Sequence, residues 1–265
     1  MSEAAFEHAR PEDYLTRLAA SDLGRSYKSL VITELGIATG ETVLDLGCGP
    51  GADLASFADA VGPRGAVLGL DNDPLAVQQA RERTGARATV DVCHADVHAT
   101  GLQDHSVDRV HTDRVLQHVT DPLGALSEAR RVLRTTGRAV FAEPDWDTLV
   151  VDHADLEVPR AYRRFVVDRV VRNSCIGRRL PGLAEEAGLS VTRVIPVTAA
   201  FRDAAAADKI FGFRRVTERA VTAQYLQRDA ADEWLEQLAT RPFFASVTLF
   251  IVVAEPASGT RAASA

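Results

Sequence analysis

The sequence predicts a doubly wound α/β fold, in which helices cover both faces of a mostly parallel sheet. The first observation is that short apolar runs alternate with helix-length segments between residues 42 and 142. The second is an apolar run that leads into a glycine turn and then into a helix, at residues 42–61. Because strands separated by helix-length segments pair through right-handed crossovers, this order predicts a parallel sheet.

The strand and glycine turn at residues 42–52 are the part of the chain best suited to hold a ligand. Residues 43–46 are almost continuously apolar, which is typical of a strand buried on both faces of a sheet. The three glycines that follow leave the backbone open to a ligand; they are Gly47, Gly49 and Gly51. A helix over residues 52–61 would direct its unpaired N–H groups at a carboxylate or phosphate.

The other elements follow in order up to residue 142. Strands are predicted at 42–47, 66–71, 88–93, 107–111 and 138–142. Helices are predicted at 52–61, 74–83 and 121–134. Asp73-Pro74 and Asp121-Pro122 each place a capping carboxylate before a proline in the first helical position. Gly137 is expected to end the last of these helices.

The pattern changes after residue 145. Helices are predicted at 156–173, 178–188 and 203–239, and strands at 190–199 and 245–254. A helical cap is therefore expected at 200–243, and further helices precede the first strand at 11–20 and from about residue 21. The expected organisation is a helical lid (1–40), a core (41–145), a part that completes the sheet and carries the cap in the same domain (146–255), and a disordered tail (256–265).

Length and composition indicate one globular domain with elaborations. The chain has 265 residues, of which 46% are hydrophobic and 25% charged. Its formal net charge of −7 and its pI of about 5.5 argue against a nucleic-acid or membrane-surface binder. No secretion signal or membrane span is readable, and the three cysteines lack metal-ligand spacing. We therefore expect a cytoplasmic protein without a metal site, and the sequence leaves its oligomeric state open.

Three segments resemble motifs of the class I S-adenosylmethionine (SAM) dependent methyltransferases, of the small-molecule group, in that family's order and spacing. Val43-Leu44-Asp45-Leu46-Gly47-Cys48-Gly49-Pro50-Gly51 is similar to the first motif. Asp71 lies where the family has its ribose-binding acid, and Ala95-Asp96-Val97 is similar to the segment that contacts adenine. The resemblance covers roughly residues 40–145. It implies SAM as the cofactor and a Rossmann-like seven-stranded sheet whose last strand is antiparallel.

The resemblance also implies a role for each candidate cofactor-binding residue. Asp45 and the N–H groups of the glycine turn would hold the methionine end of SAM, together with the backbone of residues 113–115. Asp71 would accept both ribose hydroxyls, and Asp96 would accept from the adenine amino group. Each of these acids has an alternative role as a surface charge or a helix cap. The full set is Asp45, Gly47, Cys48, Gly49, Gly51, Asp71, Asn72, Asp96, Val97, Asp113, Arg114 and Val115.

The methyl acceptor is expected near the segments that follow the fourth and fifth strands. His118 lies where many small-molecule members of the family carry a histidine near the transferred methyl. It would remove a proton from a hydroxyl, or alternatively pack against the following helix. Glu143 and Asp145 would orient a hydroxyl or an amine, and Trp146 would offer its face to a cationic or aromatic ligand. This segment is not the Asp/Asn-Pro-Pro-aromatic motif of nucleic-acid methyltransferases, so no nucleic-acid substrate is expected.

Two tyrosines of the predicted lid, Tyr14 and Tyr27, are candidates to contact the substrate or, alternatively, to anchor the lid on the sheet. The sequence thus predicts a SAM-dependent methyltransferase that acts on an O or N atom of a small molecule by in-line displacement. Three alternatives stay open: a SAM-binding cyclase that transfers no methyl, an NAD-dependent dehydrogenase, and an arsenic methyltransferase. The last two are disfavoured because the chain lacks a Tyr-x-x-x-Lys pair and its three cysteines share no element.

Overall fold

The structure, a computed structural model, describes the chain from residue 22 to residue 257, with side chains from residue 27 onward. The predicted helix at 11–20, the candidate Tyr14 and the tail from residue 258 lie outside these residues. Within them, no helix has the length and the apolar character that a membrane crossing requires.

Seven strands in the described part of the chain form one sheet. They are β1 (Thr42–Leu46), β2 (Ala66–Asp71), β3 (Val90–His94), β4 (Val107–Asp113), β5 (Leu133–Val151), β6 (Leu189–Phe201) and β7 (Ala245–Pro256). Their order is β3-β2-β1-β4-β5-β7-β6. Strands β1 to β5 pair in parallel, and β7 is antiparallel to both β5 and β6. The predicted fold class, including the antiparallel last strand, is confirmed.

Nine α-helices in the same residues connect these strands. They are α1 (Asp22–Leu35), α2 (Leu54–Val61), α3 (Pro74–Thr84), α4 (Pro122–Val132), α5 (Glu157–Phe165), α6 (Ile176–Glu186), α7 (Ala204–Phe211), α8 (Phe213–Thr222) and α9 (Arg228–Thr240). The two predicted helix starts are confirmed. Asp73 accepts from Leu75 N at 2.9 Å, and Asp121 accepts from Gly124 N at 3.0 Å.

Three clusters of buried side chains hold the layers together. The first packs α1, α2 and α3 on one face of the sheet and includes Val140, whereas the second packs α4 and α6 on the other face and includes Phe141. These two neighbours in β5 point to opposite faces, as the strand period requires. The third cluster joins helices α5, α7, α8 and α9 to β5 and β7, with Trp234 wholly buried at its centre.

The element boundaries differ from the predicted ones where tertiary contacts decide them. Helix α4 ends at Val132, and the chain then becomes extended into β5, which is far longer than the predicted 138–142. Gly137 lies inside β5 and not at a helix end; a Cβ there would lie 2.8 Å from the carbonyl oxygen of Asp108. The predicted helix over 203–239 is three helices, the first two separated by Gly212 in a left-handed conformation (φ 62°).

Candidate active site

The glycine turn ties the carboxyl ends of β1 and β2 together. The N–H groups of Gly47 and Cys48 donate to the carbonyl oxygen of Leu70, at 2.7 and 2.9 Å. The N–H of Gly49 donates to Oδ2 of Asp71 at 2.8 Å. Gly47, Gly49 and Gly51 have φ values of 72°, 52° and 75°, so the turn requires the backbone freedom of glycine. The strand order reverses between β1 and β4, and this is where an open α/β sheet binds its ligand.

Two of the three glycines make room for protein and not for a ligand, in contrast to the expectation from sequence. A Cβ on Gly47 would lie 2.5 Å from Cγ2 of Val115, and one on Gly51 would lie 2.9 Å from Cβ of Ala80. The absent side chains therefore let the loop after β4 and helix α3 approach the turn. Cys48 is buried beside them, and desolvation raises the pKa of its thiol, which is therefore neutral.

Asp71 lies at the end of β2, where the sequence predicted a ribose-binding acid. It is partly exposed, and its Oδ1 accepts from the N–H of Asp73 at 2.9 Å while its Oδ2 accepts from Gly49. An ionised carboxylate has about four acceptor positions, so these two bonds orient it and leave acceptor capacity for a diol. Asn72, the neighbouring candidate, is exposed, and its carbonyl oxygen accepts from Nε2 of His94 at 3.0 Å.

The predicted adenine segment is partly at the surface. Oδ1 of Asp96 accepts from the N–H of His98 at 2.8 Å and pairs with its Nδ1 at 2.5 Å. The backbone hydrogen bond from His98, and then the bond from its ring, lower the pKa of Asp96, which is charged and exposed. Val97 is buried in the core beneath α4 and α6. The assignment of Asp96 and Val97 to adenine stays a prediction.

Asp45 is buried and not open to the crevice. Nδ1 of His111, the residue beside it in β4, donates to its Oδ1 at 2.7 Å. Desolvation lowers the pKa of His111, but the Asp45 carboxylate outweighs this effect and raises it. The ring of His111 also packs edge-on against Phe57 at 5.1 Å between centroids. Any effect of Asp45 on a cofactor ammonium therefore passes through a buried carboxylate–imidazole pair.

Lys28 of α1 connects this helix to the crevice. Its Nζ donates to Oδ2 of Asp113 at 2.7 Å, and it also bonds Asp53 in the turn that leads into α2. The hydroxyl of Tyr27 donates to the same Asp113 oxygen at 2.9 Å, and Nε of Arg114 donates to Oδ1 at 3.0 Å. Desolvation opposes the charge on Asp113, but Arg114 and then Lys28 outweigh it, so its pKa is strongly lowered.

Three further residues of the site were not predicted from the sequence: Lys28, Asp53 and His111. Lys28 and Lys209 are the only lysines in the chain, but this scarcity did not indicate which lysine is buried. His111 had a recognisable signal, because it is a polar residue in a core strand that lies beside the first motif. Asp53 had none, since it follows the glycine turn in a position typical of a helix cap.

Glu143 does not face an open pocket, so the expectation that it orients the acceptor is wrong. It is wholly buried, and its Oε1 accepts from the N–H groups of Val115 and Leu116 at 2.8 and 2.6 Å. Oε2 accepts from Gln117 N at 3.3 Å. Desolvation raises the pKa of Glu143 to about 8. The residue positions the loop after β4.

Asp145 is also enclosed, which contradicts its assignment as an acceptor-orienting residue. Its side chain is wholly buried, and both of its oxygens bind Arg178 of α6, through Nε and through Nη2, the latter at 2.9 Å. Its Oδ1 also accepts from the N–H of Asp147 at 3.1 Å. This bidentate pair fastens α6 to β5.

His118 lies in the segment after β4, and its side chain is accessible to solvent. Desolvation, and then the Arg114 charge, lower the pKa of His118 to about 4. The imidazole is therefore neutral at pH 7 and able to accept a proton.

An apolar cleft opens between α1, the loop after β4 and the outer strands. Its volume is about 510 Å³, open solvent included. Trp146 contributes one wall and is held there by a hydrogen bond from its Nε1 to Oε1 of Gln117 at 2.8 Å. The described lining residues are Tyr27, Arg114, Pro144, Trp146, Val197, Ala199, Phe201, Ile210, Val247 and Leu249. The cleft thus brings together Tyr27 and Trp146, two of the predicted substrate contacts.

The crevice at the ends of β1, β2 and β4 fits SAM. A SAM molecule carries a carboxylate, an ammonium and a sulfonium, so its net charge is positive. Asp53 and Asp113 both bind Lys28 at the crevice, and Asp71 lies at the end of the adjacent strand. Acids at the methionine and ribose ends complement that charge, and the loop that Asp113 begins runs on to the apolar cleft.

The strand order, the glycine turn and the acid that ends β2 define the class of Rossmann-like SAM-dependent methyltransferases. The chain belongs to the methyltransferase domain family, whose model matches residues 37–188. Its cofactor is accordingly SAM.

The chain is similar in sequence to two curated proteins. A 37.1 kDa protein of transposon TN4556 from Streptomyces fradiae is 53% identical over 257 residues, which cover 96% of this chain and 74% of that protein. The demethylmenaquinone methyltransferase of Staphylococcus aureus is 31% identical over 139 residues, 52% of this chain and 58% of that enzyme.

Two solved structures share the fold at low sequence identity. YcgJ from Bacillus subtilis has a TM-score of 0.64 at 16% identity, with 89% of this chain and all of that one covered. A SAM-dependent methyltransferase from Aquifex aeolicus has a TM-score of 0.52 at 18% identity, with 89% and 92% covered.

Proposed function

We propose that this protein transfers a methyl group from SAM to an O or N atom of a small, largely apolar molecule. The observation that carries the proposal is the position of the apolar cleft. Its wall includes Arg114, which directly follows Asp113 at the carboxyl end of β4. The acceptor pocket and the crevice for the methyl donor therefore share one loop.

The residues of this chain would contribute positioning more than covalent chemistry. SAM, when bound, supplies an activated methyl group on a sulfonium. Asp71 would hold the ribose diol, and Asp113 with Lys28 would hold the methionine end. Glu143 fixes the loop that separates cofactor from acceptor, through its bonds to three backbone N–H groups. Alignment and exclusion of water account for most of the rate of such a displacement, and apolar cleft walls exclude water.

His118 is the proposed general base for a hydroxyl acceptor. It is neutral at pH 7, because its pKa is lowered to about 4, and it lies four residues after Arg114, which lines the cleft. Glu143 and Asp145 are not proposed for this role, because both are buried and bonded within the protein. An amine acceptor that arrives unprotonated would require no base.

One relative supports an apolar acceptor. The Staphylococcus aureus relative is, by its name, a methyltransferase of demethylmenaquinone, although this chain spans 58% of its length. The aromatic and aliphatic lining around Trp146 suits a ring system of that kind. We make no proposal for the particular acceptor.

The cofactor site is tested by replacing Asp71 and measuring SAM binding by titration calorimetry. Asp71→Ala removes the proposed acceptor of both ribose hydroxyls and the partner of Gly49 N–H, so we expect affinity to fall at least about tenfold. Asp203→Ala is the control, because Asp203 caps α7 far along the chain from the crevice and its loss affects stability alone. Near-normal SAM affinity in Asp71→Ala would contradict the site assignment.

The transfer itself is tested on the product. Incubation with SAM and a library of phenols, quinols and aromatic amines should give a product heavier by one methyl group and one S-adenosylhomocysteine per product. Conversion without a gain in mass, with SAM unconsumed, would instead identify the cyclase that the sequence left open.

A further inference from the structure

The apolar cleft contains one residue with a full charge among the described residues that line it, and that residue is Arg114. The hydroxyl of Tyr27 donates to Asp113, which is not among the described residues that line the cleft. The other lining residues are apolar or aromatic. A cation at one end of an otherwise apolar cavity is a polar anchor of the kind that fixes the orientation of a small ligand.

The backbone holds Arg114 in a conformation that a non-glycine residue rarely adopts. Its φ is 60°, and its N–H donates to the carbonyl oxygen of Ala142 at 2.8 Å. Its guanidinium is oriented by Asp113, through Nε at 3.0 Å and Nη2 at 3.5 Å. Such a conformation is strained and is found where the surroundings enforce it, often at ligand sites.

The charge of Arg114 is permanent and is largely shielded from solvent. A guanidinium stays protonated at any pH at which the protein is folded. The side chain of Arg114 is only 9% exposed, so solvent screens its charge weakly. Asp113 binds both Arg114 and Lys28, and Asp53 also binds Lys28. Among the described residues that line the cleft, Arg114 is the one that carries a charge, so the charged group at its wall is a cation.

We infer that the cleft selects acceptors that combine an apolar, preferably aromatic, body with an anionic oxygen, and that Arg114 is the counter-ion. The body would pack on Trp146 and on the strands β6 and β7, and the ionised oxygen would accept charge-assisted hydrogen bonds from the guanidinium. Phenolates, enolates and carboxylates share this chemistry, whereas neutral ring systems and amines lack it. The inference rests on the proposed function and narrows its acceptor class.

The test compares two dyes that have the same body and differ in charge. 1-Anilinonaphthalene-8-sulfonate carries an anionic sulfonate, and N-phenyl-1-naphthylamine is its neutral counterpart. In fluorescence titrations at pH 7.5 (roughly physiological), wild-type protein should bind the anionic dye about tenfold more tightly, the usual value of one hydrogen bond to a charged group. Arg114→Met should abolish that preference and leave affinity for the neutral dye within about twofold. Arg64→Met, at an exposed arginine outside the cleft, should change neither.

A second variant keeps the inference testable if Arg114→Met does not fold. Arg114→Lys keeps the charge without the planar fork, so it should retain part of the preference for the anionic dye. Circular dichroism checks that each variant is folded. If Arg114→Met does not fold, the preference for the anionic dye in wild type and in Arg114→Lys tests the inference. The inference is overturned if wild type does not prefer the anionic dye, or if Arg114→Met weakens both dyes equally. SAM calorimetry on the same samples separates this failure from that of the proposed function, which fails only if SAM does not bind or no methyl is transferred.

Discussion

At the scale of single residues, the surroundings of each acid decide its role. Asp71 is partly exposed and oriented by two backbone N–H groups, so it retains acceptor capacity for a ligand. Asp45 is paired with a buried imidazole, and Glu143 is enclosed by the loop that it fixes. All three lie in or next to apolar strands in the sequence, and their environments in the fold distinguish an acid with remaining acceptor capacity from two that are enclosed by protein partners.

The buried Glu143 predicts a specific dependence of stability on pH. Its pKa is about 8 in the folded protein and about 4.5 in the unfolded chain. Between these values the unfolded chain has lost the proton and the folded protein retains it, so the free energy of unfolding should fall as pH rises, by up to about 1.4 kcal/mol per pH unit. Glu143→Gln cannot ionise and should lack this slope. Urea unfolding at several pH values between 4.5 and 8 measures the difference between the two proteins.

A matched replacement separates the proton from the hydrogen bonds of Glu143. Glu143→Gln keeps an oxygen for the N–H groups of Val115 and Leu116, so we expect it to be folded at pH 7. Glu143→Ala leaves these buried donors without a partner and should be strongly destabilised at every pH. Equal slopes in wild type and Glu143→Gln would show that Glu143 is ionised throughout.

Sequence alone could predict the parts of the site that depend on local order, and not those that depend on distant contacts. The glycine turn and Asp71 were located because a motif is a local pattern. Glu143 and Asp145 were misassigned, because the sequence does not show what a carboxylate after a strand contacts. In the fold, Glu143 binds the backbone of a loop and Asp145 binds Arg178 of α6. Lys28 was missed because its partner Asp113 is 85 residues away.

At the scale of elements, α1 is held to the sheet by a buried ion pair as well as by apolar packing. Lys28→Met would leave Asp53 and Asp113 without their shared cation, and removing one partner of a buried pair costs about 3–5 kcal/mol. Lys209→Met is the matched control, because Lys209 is exposed on α7 and should matter by less than about 0.5 kcal/mol. Chemical denaturation measures both. Hydrogen exchange of the amides in α1 should accelerate in Lys28→Met alone, and equal stability of the two variants would contradict this account.

Helix α6 packs closely against β5 near Gly177, whereas the space around Gly182, later in the same helix, is empty. A Cβ on Gly177 would lie 2.9 Å from the backbone oxygen of Glu143, whereas one on Gly182 meets nothing within 4 Å. Gly177→Ala should therefore destabilise the protein by about 1–3 kcal/mol through overpacking. Gly182→Ala should stabilise it by about 0.5–1 kcal/mol, because alanine favours a helix. Thermal melts of both variants check the opposite signs, and two shifts of the same sign would contradict the packing.

The boundaries of helices and strands were predicted well where flanking residues signal a start or an end. They were predicted poorly where pairing within the sheet sets the length of a strand. The predicted strand 66–71 coincides with β2, and the Asp-Pro pairs located α3 and α4. Strand β5 was predicted as 138–142 but extends to Val151, because its second half pairs with β7 more than 90 residues later. No local signal marks that pairing.

At the scale of the whole molecule, the helical cap and the sheet share a core. The cluster around Trp234 of α9 includes Trp146, Leu149 and Val151 of β5. A cap that buries its centre against the sheet has no independent core, so we expect cap and sheet to unfold together. The domain organisation proposed from sequence, with the cap in the same domain, leads to the same expectation.

The two tryptophans of the chain allow this to be measured, because Trp146 lies in the sheet and Trp234 in the cap. In Trp146→Phe the remaining fluorescence reports the cap, and in Trp234→Phe it reports the sheet. Within each variant, the urea transition seen by fluorescence should coincide with the transition seen by far-ultraviolet circular dichroism, since one cooperative unit gives the same midpoint by every probe. Each variant serves as its own reference, so the stability lost with the replaced ring does not enter the comparison. A fluorescence midpoint in Trp146→Phe well below the dichroism midpoint would show that the cap opens first, and the cleft that it helps to form would then be gated by cap unfolding.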